Sequence, residues 1–372
     1  MSAVNRREFI GGALSAATWA ALPRSLPAAE TGRPLKFLFI SDHHIESDFV
    51  QSHGITKGQP VYTMWKPGDH AAIVETYRFI NADPFCRDCD FVLFGGDQIN
   101  TGYSNKPADM AAEKANYFRT LEALDLHART KGRVDDLAFV AEPWTVRENL
   151  AKGQKPFDVQ PAPLPSRVIA IQGNHDTGVG EFYRDCAFTA GDTRFIAFFA
   201  SYVGLPPPPG QLFHSTAKVS DATVAFVERE MAKAAADPRV RHIALVSHWA
   251  IADRGADFQC PIVGACRENG MSANRDRLLA LCAKYGCDLY LNGHEHNGRY
   301  PVGQVGNLRD INCGTLTANP DAGGFAVVEL RPDRAVFNID SRAVVEEREG
   351  KAVLTARPRR LFVREIPLRP IR

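Results

Sequence analysis

The sequence of 372 residues lacks several features that would assign it to a familiar class. It contains no G-x-x-x-x-G-K-[ST] phosphate-binding loop and no G-x-S-x-G nucleophile motif, so neither of those catalytic classes is indicated. The formal net charge is only +1, which gives no strong positive field, and we expect no nucleic-acid-binding surface. The composition, 45% hydrophobic and 23% charged, is that of a globular chain that could form one large α/β domain or two smaller ones.

Hydrophobic runs long enough for a stable membrane span are also missing. The longest apolar segment near the N-terminus covers residues 9–22, includes Ser15 and Thr18, and is short for a bilayer. It follows Arg6 and Arg7 and resembles a twin-arginine signal peptide, which predicts bacterial export machinery as a partner and a periplasmic or secreted protein. We therefore expect residues 1–29 to be a signal peptide, with an uncleaved membrane anchor or a disordered basic tail as alternatives.

The eight cysteines do not form a recognisable zinc motif. Cys86 and Cys89 make one C-x-x-C pair, but no second pair follows to complete a four-ligand site. A disulfide such as Cys260–Cys266 and a set of buried free thiols both fit the spacing, so the pairing stays open at this point.

Apolar runs alternate with segments of helical periodicity along most of the chain. Strands are predicted at 35–41, 91–94, 167–171, 193–200, 242–246 and 287–291, and helices at 69–81, after Pro107, at 221–236 with Ser220 as cap, and at 275–285. Residues 131–165 are expected to be irregular. Short strands from about residue 308 to 372 are expected to complete a second sheet, so that residues 30–372 form one α/β domain.

Polar residues with metal-binding or catalytic chemistry follow five of these predicted strands. They are Asp42, His44, Asp97, Asn174, His175, Asp176, His248, His294 and His296. Alone, Asp42-x-His44 suits a solvated turn, Asp97 a turn or helix cap, and His248 a surface histidine. The His294-x-His296 pair is a stronger signal. Because the carboxyl ends of parallel strands meet at one edge of a sheet, their joint occurrence predicts a shared functional site.

Taken in order, these residues form five blocks that resemble the calcineurin-like metallophosphoesterases. The blocks are Asp42-x-His44, Gly96-Asp97, Gly173-Asn174-His175-Asp176, His248 and Gly293-His294-x-His296, and the similarity extends over about residues 35–300. The resemblance implies a two-sheet α/β sandwich flanked by helices, with two divalent metal ions at the strand ends. Manganese, iron and zinc all suit such ligands.

The resemblance also implies a role for each residue. The first metal would be bound by Asp42, His44, Asp97 and His296, and the second by Asp97, Asn174, His248 and His294. His175 would stabilise the transition state or protonate the leaving group, and Asp176 would orient its imidazole or simply cap a turn. The expected reaction is hydrolysis of a small-molecule phosphate ester by in-line attack of a metal-bridging hydroxide.

Sequence differences from related groups of phosphoesterases argue against one class of metal centre. Purple acid phosphatases carry a tyrosine ligand where this chain has Asn100 and lack the histidine that His44 supplies, so a ferric-tyrosinate enzyme is disfavoured. The Asp42-His43-His44 block and the intact Gly293-His294-x-His296 block slightly favour a phosphodiesterase. The alternatives are a phosphomonoesterase or nucleotidase, or a non-catalytic metal-binding protein.

Trp249 is expected either to touch substrate or to pack in the core. The loops at 43–68, 131–165 and 250–270 are expected to wall the pocket.

Overall fold

The computed structural model describes residues 33–45, 69–100, 107–123, 138–147, 153–162, 167–176, 179–204, 215–252, 271–296, 302–316 and 320–371. The predicted signal peptide lies outside these ranges. Cys260, Cys266 and most of the loops expected to wall the pocket also lie outside them.

The described residues form twenty strands. Their bounds are β1 Leu35–Ile40, β2 Phe91–Phe94, β3 Val140–Ala141, β4 Trp144–Val146, β5 Phe157–Val159, β6 Val168–Ala170, β7 Cys186–Ala190, β8 Thr193–Ala197, β9 Ser201–Gly204, β10 Ser215–Lys218, β11 His242–Val246, β12 Met271–Ala273, β13 Leu289–Asn292, β14 Val302–Val305, β15 Leu308–Asn312, β16 Phe325–Leu330, β17 Arg334–Asp340, β18 Val344–Arg348, β19 Lys351–Ala356 and β20 Arg360–Pro367. The predicted strands are present with small changes at their ends. The segment expected to be irregular contains the short strands β3, β4 and β5.

Five α-helices lie between the strands in the described ranges. They are α1 Asp69–Ala82, α2 Pro84–Arg87, α3 Pro107–Ala123, α4 Asp221–Ala236 and α5 Arg275–Tyr285, and Pro320–Ala322 forms a 3₁₀ turn. Local signals explain several of the boundaries. Ser220 caps α4 by accepting a hydrogen bond from the Thr223 amide, and Gly286 ends α5 in the left-handed conformation that favours glycine.

The first large sheet has six strands in the order β20-β17-β16-β1-β2-β6. Strands β1, β2 and β6 are parallel, whereas β16 pairs antiparallel with β1. The second large sheet has seven strands in the order β14-β15-β13-β11-β8-β7-β3, and its strands β8, β11, β13 and β15 are parallel. Both sheets therefore present the carboxyl ends of parallel strands.

The C-terminal strands are divided between the two sheets. Strands β14 and β15 join the second sheet, but β16, β17 and β20 extend the first sheet. The expectation that this region completes only the second sheet therefore differs from the structure. The physical reason is that β1 is buried and needs a partner on its outer edge, and the apolar strand β16 supplies it over the six residue pairs from Leu35–Leu330 to Ile40–Phe325.

Alternating side chains of the strands separate the interior into three apolar layers. One layer lies between the two sheets and includes an aromatic group in which Phe37 stacks on Phe91 and Phe188 stacks on Phe195. A second packs the outer face of the first sheet against α1 and α3. The third packs the outer face of the second sheet against α4 and α5. The result is the predicted two-sheet α/β sandwich flanked by helices.

Within the described ranges, no helix has the length and hydrophobicity needed to cross a bilayer.

Candidate metal centre

Loops from both sheets meet at the carboxyl edge of the sandwich. Backbone hydrogen bonds join the β1 and β2 loops, from Asp42 N to Gly96 O at 3.0 Å and from His44 N to Asp97 O at 2.9 Å. In the second sheet, Gly293 N donates to His248 O at 3.1 Å. The carboxylate of Asp42 accepts hydrogen bonds from His294 N at 3.0 and 3.1 Å, which ties the first sheet to the second.

The backbone of these loops adopts an unusual conformation. Asp42, His44, Asp97, His294 and His296 have φ values of 57°, 47°, 54°, 67° and 51°. These values lie in the left-handed region, which non-glycine residues rarely occupy and which costs on the order of 1–3 kcal/mol per residue. Such strain persists where the surrounding structure fixes it, and it clusters at functional sites.

Glycines allow the loops to approach one another closely. Gly96 has a φ of 104°, and a Cβ at this position would collide with the ring of His248. A Cβ at Gly173 would collide with the carboxylate of Asp97, and one at Gly293 with Asp42 and Ser41. The glycines of the sequence blocks are therefore required by contact between the loops.

A first cluster of metal-binding atoms is formed by Asp42, His44 and His296. The Oδ1 atom of Asp42 lies 3.2 Å from His296 Nε2 and 3.7 Å from His44 Nε2. Two ligands about 2.1 Å from one cation lie about 3.0–3.5 Å apart. The spacing of these three buried side chains therefore fits a divalent ion.

A second cluster consists of Asp97, His248 and His294. The Oδ2 atom of Asp97 is 3.1 Å from His248 Nε2 and 3.6 Å from His44 Nε2. Asn174 reaches this cluster, because its Oδ1 atom lies 3.1 Å from His294 Nδ1. One carboxylate oxygen of Asp97 thus faces ligands of both clusters.

The orientation of the His248 imidazole suits a metal ligand. Its Nδ1 atom donates to the carbonyl oxygen of Gly95 at 2.9 Å, which directs Nε2 toward Asp97 and is typical of metal-binding histidines. Among the described residues, Nε2 is buried and has no hydrogen-bond partner, although Asp97 Oδ2 is nearby. The donor set of carboxylates, imidazoles and an amide fits borderline divalent metals.

The buried carboxylates of Asp42 and Asp97 favour a positive charge between the ligand clusters. Burial alone would raise the pKa of Asp42 and Asp97, but the facing histidines hold both values well below the usual range. Burial lowers the pKa of His44 to about 4 and that of His294 to about 3, so both imidazoles are neutral ligands at pH 7. Burial also opposes the charged form of His248, yet Asp97 raises the pKa of His248 to about 9. The carboxylates therefore retain a positive charge where a metal ion would fit.

His175 lies at the rim of the centre. Its side chain is 18% exposed, and its Nε2 atom is 3.9 Å from Asp97 Oδ2. The Nδ1 atom is 2.6 Å from the carbonyl oxygen of Asn100, which requires the proton on Nδ1 and leaves Nε2 directed at the clusters. His175 is thus placed to exchange a proton or a hydrogen bond with a bound ligand.

The carboxylate of Asp176 contacts the loop backbone. It accepts hydrogen bonds from the amides of Gln98 and Ile99 at 2.9 and 3.0 Å and from that of Gly173 at 2.9 Å. Of its two expected roles, these contacts match the turn cap, because Asp176 accepts from Gly173 N three residues earlier, whereas the Nδ1 atom of the His175 imidazole faces Asn100. Asp176 therefore joins the β2 and β6 loops and fixes His175 through the backbone.

Three neighbouring residues support the centre from within the core. Trp249 is 2% exposed, and its ring lies 3.8 Å from that of His294, tilted by 33°; of its two predicted roles, the structure describes core packing. His43 is fully buried, and its Nε2 atom forms a short hydrogen bond with the hydroxyl of Tyr77. The sequence pattern did not indicate Tyr77, since a tyrosine on the inner face of α1 looks like any core residue.

Comparison with known proteins agrees with this geometry. The sequence profile of the family described as calcineurin-like phosphoesterase matches residues 35–298. The chain belongs to this family. Calcineurin-like phosphoesterases are metal-dependent hydrolases, and the clusters that contain Asp42 and Asp97 lie in the matched region.

Several solved structures are similar to this chain. A dimetal phosphatase from Danio rerio is 12% identical, with a TM-score of 0.51 over 91% of this chain and 100% of that chain. PhoD is 11% identical, with a TM-score of 0.44 over 92% and 73% of the two chains. The sulfate thiohydrolase SoxB from Thermus thermophilus is 15% identical, with a TM-score of 0.33 over 92% and 59%. No curated protein sequence matches the chain significantly. At these identities only the fold carries over, and it rests on the Danio rerio structure.

Proposed function

We propose that this calcineurin-like phosphoesterase hydrolyses a small-molecule phosphate ester with a dinuclear metal centre. Asp42, His44 and His296 would hold one metal, Asn174, His248 and His294 would hold the other, and Asp97 would contribute its carboxylate to both. The observation that carries this proposal is the position of Asp97 Oδ2, which is 3.6 Å from His44 Nε2 and 3.1 Å from His248 Nε2. A single carboxylate oxygen between two ligand clusters is the arrangement that a bridged metal pair needs. The Danio rerio dimetal phosphatase of the same fold supports it.

When bound, two divalent ions would polarise a phosphoryl group and lower the pKa of an attacking water. The chain contributes the environment for this chemistry. Two carboxylates, Asp42 and Asp97, neutralise only half of the charge of two divalent ions, so the centre remains cationic and attracts a phosphate anion. The strained loops hold the ligands in place before substrate binds.

His175 assists the departure of the leaving group. Its Nδ1 proton is held by the Asn100 carbonyl, so Nε2 can carry a second proton toward an ester oxygen at the rim of the centre. Asp176 keeps this loop against Gln98 and Ile99. General acid assistance by a positioned histidine contributes roughly 10²–10⁴-fold in rate.

A phosphodiester is the substrate class that we favour, with a phosphomonoester or nucleotide as the alternative. The sequence observation behind this choice is the Asp42-His43-His44 block together with the intact Gly293-His294-x-His296 block. The test is turnover of bis(p-nitrophenyl) phosphate against p-nitrophenyl phosphate, with added Mn²⁺ and with chelator. Faster metal-dependent cleavage of the diester supports the proposal, and faster cleavage of the monoester moves the protein to the phosphatase alternative. Two bound metals with no turnover of either ester would favour the non-catalytic alternative.

We also propose that residues 1–29 direct export by the twin-arginine route, so that residues 30–372 act in the periplasm or outside the cell. The support is the order of Arg6, Arg7 and the uncharged apolar segment at 9–22. Replacement of Arg6 and Arg7 by lysine should leave the protein in the cytoplasmic fraction of a bacterial host, as fractionation and blotting would show. Unchanged export of this variant would contradict the proposal.

A further inference from the structure

Strand β15 and the residues that follow it contain none of the proposed metal ligands, yet they contact three of the ligand loops. Asp310, Asn312 and Thr315 are fully buried here, as is Asn292 at the end of β13. Buried polar groups are costly unless they are hydrogen-bonded. We call these four residues the β15 network, and each makes hydrogen bonds that bear on the metal centre.

The carboxylate of Asp310 joins the His248 loop to the end of β13. Its Oδ2 atom accepts hydrogen bonds from the backbone amides of Ile251 at 2.8 Å and Ala252 at 2.7 Å, just beyond His248. Its Oδ1 atom accepts a short hydrogen bond from the side-chain amide of Asn292. A single side chain therefore connects the two ligand loops of the second sheet, in addition to the direct hydrogen bond from Gly293 N to His248 O.

The hydrogen bonds of the network have a direction that begins at Asp310. A carboxylate only accepts, so the amide nitrogen of Asn292 must face it, and the amide oxygen of Asn292 then accepts from Asn312 Nδ2 at 3.0 Å. Asn312 Nδ2 also donates to the carbonyl of Gly293 at 2.6 Å, and Asn312 Oδ1 accepts from Gly314 N at 2.7 Å. The Asp310 carboxylate therefore fixes the orientation of the Asn292 side-chain amide, and Asn292 in turn fixes that of Asn312.

Two ends of the network meet the ligand loops directly. The carbonyl that Asn312 holds belongs to Gly293, which immediately precedes His294. The hydroxyl of Thr315 donates to the carbonyl of Asp42 at 2.8 Å, across to the first sheet. Residues of both proposed clusters are therefore anchored to one buried strand end.

We propose that Asp310 is a positioning residue for the metal centre: through Asn292 and Asn312 it holds the His248 and His294 loops at the separation that metal binding requires. This inference rests on the proposed function, since it concerns the affinity of the proposed metal pair. Loss of outer contacts that orient metal ligands typically weakens metal binding or activity by about 10–100-fold.

The test is the Mn²⁺ affinity of the full chain with Asp310→Asn, measured by equilibrium dialysis and metal analysis. In this variant the new amide nitrogen meets the Asn292 nitrogen. Turning the new amide sets its nitrogen against the backbone amides of Ile251 and Ala252, and turning Asn292 moves the mismatch to Asn312. We expect Mn²⁺ binding at least about tenfold weaker than wild type. The double variant Asp310→Asn with Asn292→Asp restores donor to acceptor at this contact and should recover part of the affinity. We expect incomplete recovery, because the carbonyl oxygen of Ile311 loses the hydrogen bond that it accepts from Asn292 Nδ2 at 3.2 Å in the wild type.

Asp185→Asn is the matched control. Asp185 is another largely buried carboxylate, and it accepts from Phe199 N and Thr223 Oγ1 rather than from a ligand loop. We expect wild-type affinity in this variant. Wild-type affinity in a folded Asp310→Asn protein would overturn the inference, as would equal losses in the Asp310 and Asp185 variants. A wild-type chain that binds no Mn²⁺ would instead overturn the proposed function and, with it, this inference.

Asn312→Ala supplies a second test on the same hydrogen-bond chain. It removes the donor to Asn292 Oδ1 and to the carbonyl of Gly293 and leaves the Asp310 carboxylate in place. If Asp310→Asn does not fold, weaker Mn²⁺ binding by a folded Asn312→Ala protein supports the inference, and unchanged binding contradicts it.

Discussion

Replacing Asp185 by asparagine tests how burial controls a carboxyl group outside the metal centre. Asp185 Oδ1 accepts from Phe199 N at 3.0 Å, and its Oδ2 atom accepts from the hydroxyl of Thr223 at 2.9 Å. Burial raises the pKa of Asp185 from 3.8 to about 6, although these hydrogen bonds oppose the change. The folded protein therefore binds this proton more tightly than the unfolded chain does. Its contribution to stability is complete below pH 3.8 and is lost as the pH rises through 6.

The magnitude follows from the two pKa values. A difference of about two units corresponds to about 3 kcal/mol, and since part of the residue reaches solvent we expect about 2 kcal/mol. Asparagine keeps the shape and the acceptor for Phe199 N but cannot ionise. Relative to wild type, Asp185→Asn should thus gain about 2 kcal/mol in free energy of unfolding between pH 4 and pH 7.

Urea denaturation of both proteins at the two pH values measures this difference. Chelator is present throughout, so that acid-dependent loss of metal does not contribute. Any constant effect of the substitution cancels when the two pH values are compared. If the difference in unfolding free energy between the proteins is the same at pH 4 and pH 7, burial does not perturb Asp185 and the reasoning is refuted.

Three further predictions concern the metal centre and its support. His175→Asn should lower kcat by about 10²–10⁴-fold without loss of bound metal, so metal analysis beside steady-state kinetics checks it, and a loss of metal would assign His175 a ligand role. Chelator should abolish turnover and lower the Tm, and Mn²⁺ at about 100 times its dissociation constant should restore about 2.7 kcal/mol of stability; a Tm insensitive to both would contradict a bound metal. Tyr77→Phe removes the hydrogen bond to buried His43 and should cost about 1–3 kcal/mol in chemical denaturation, whereas wild-type stability would show that this contact contributes nothing.

Local sequence signals predict much of the fold. Helix α4 was predicted with both of its ends because Ser220 and Asp237-Pro238 are local signals, and the buried strands β1, β2 and β11 were predicted from mostly apolar runs. The clustering of the candidate metal ligands was predictable for a similar reason. Parallel strands bring their carboxyl ends to one edge, so that Asp42, Asp97 and His248 need only strand positions to be placed together.

The remaining features depend on contacts between distant parts of the chain. Whether β16 joins the first or the second sheet is decided by its partner β1, nearly three hundred residues earlier. The hairpin of β7 and β8 has a local signal in Gly191-Asp192, which was missed because the run before it is short and interrupted by Thr189. Asp310 resembles any polar residue of an alternating strand, and its contacts with Ile251 and Asn292 exist only after the sheets have formed.

The most direct test of the metal centre is anomalous diffraction from crystals of the protein grown with Mn²⁺. The account predicts two anomalous peaks about 3.5–4 Å apart, with the carboxylate of Asp97 between them. One peak should lie beside Asp42, His44 and His296, and the other beside Asn174, His248 and His294. A single peak, or two peaks that do not share Asp97, would contradict the bridged metal centre.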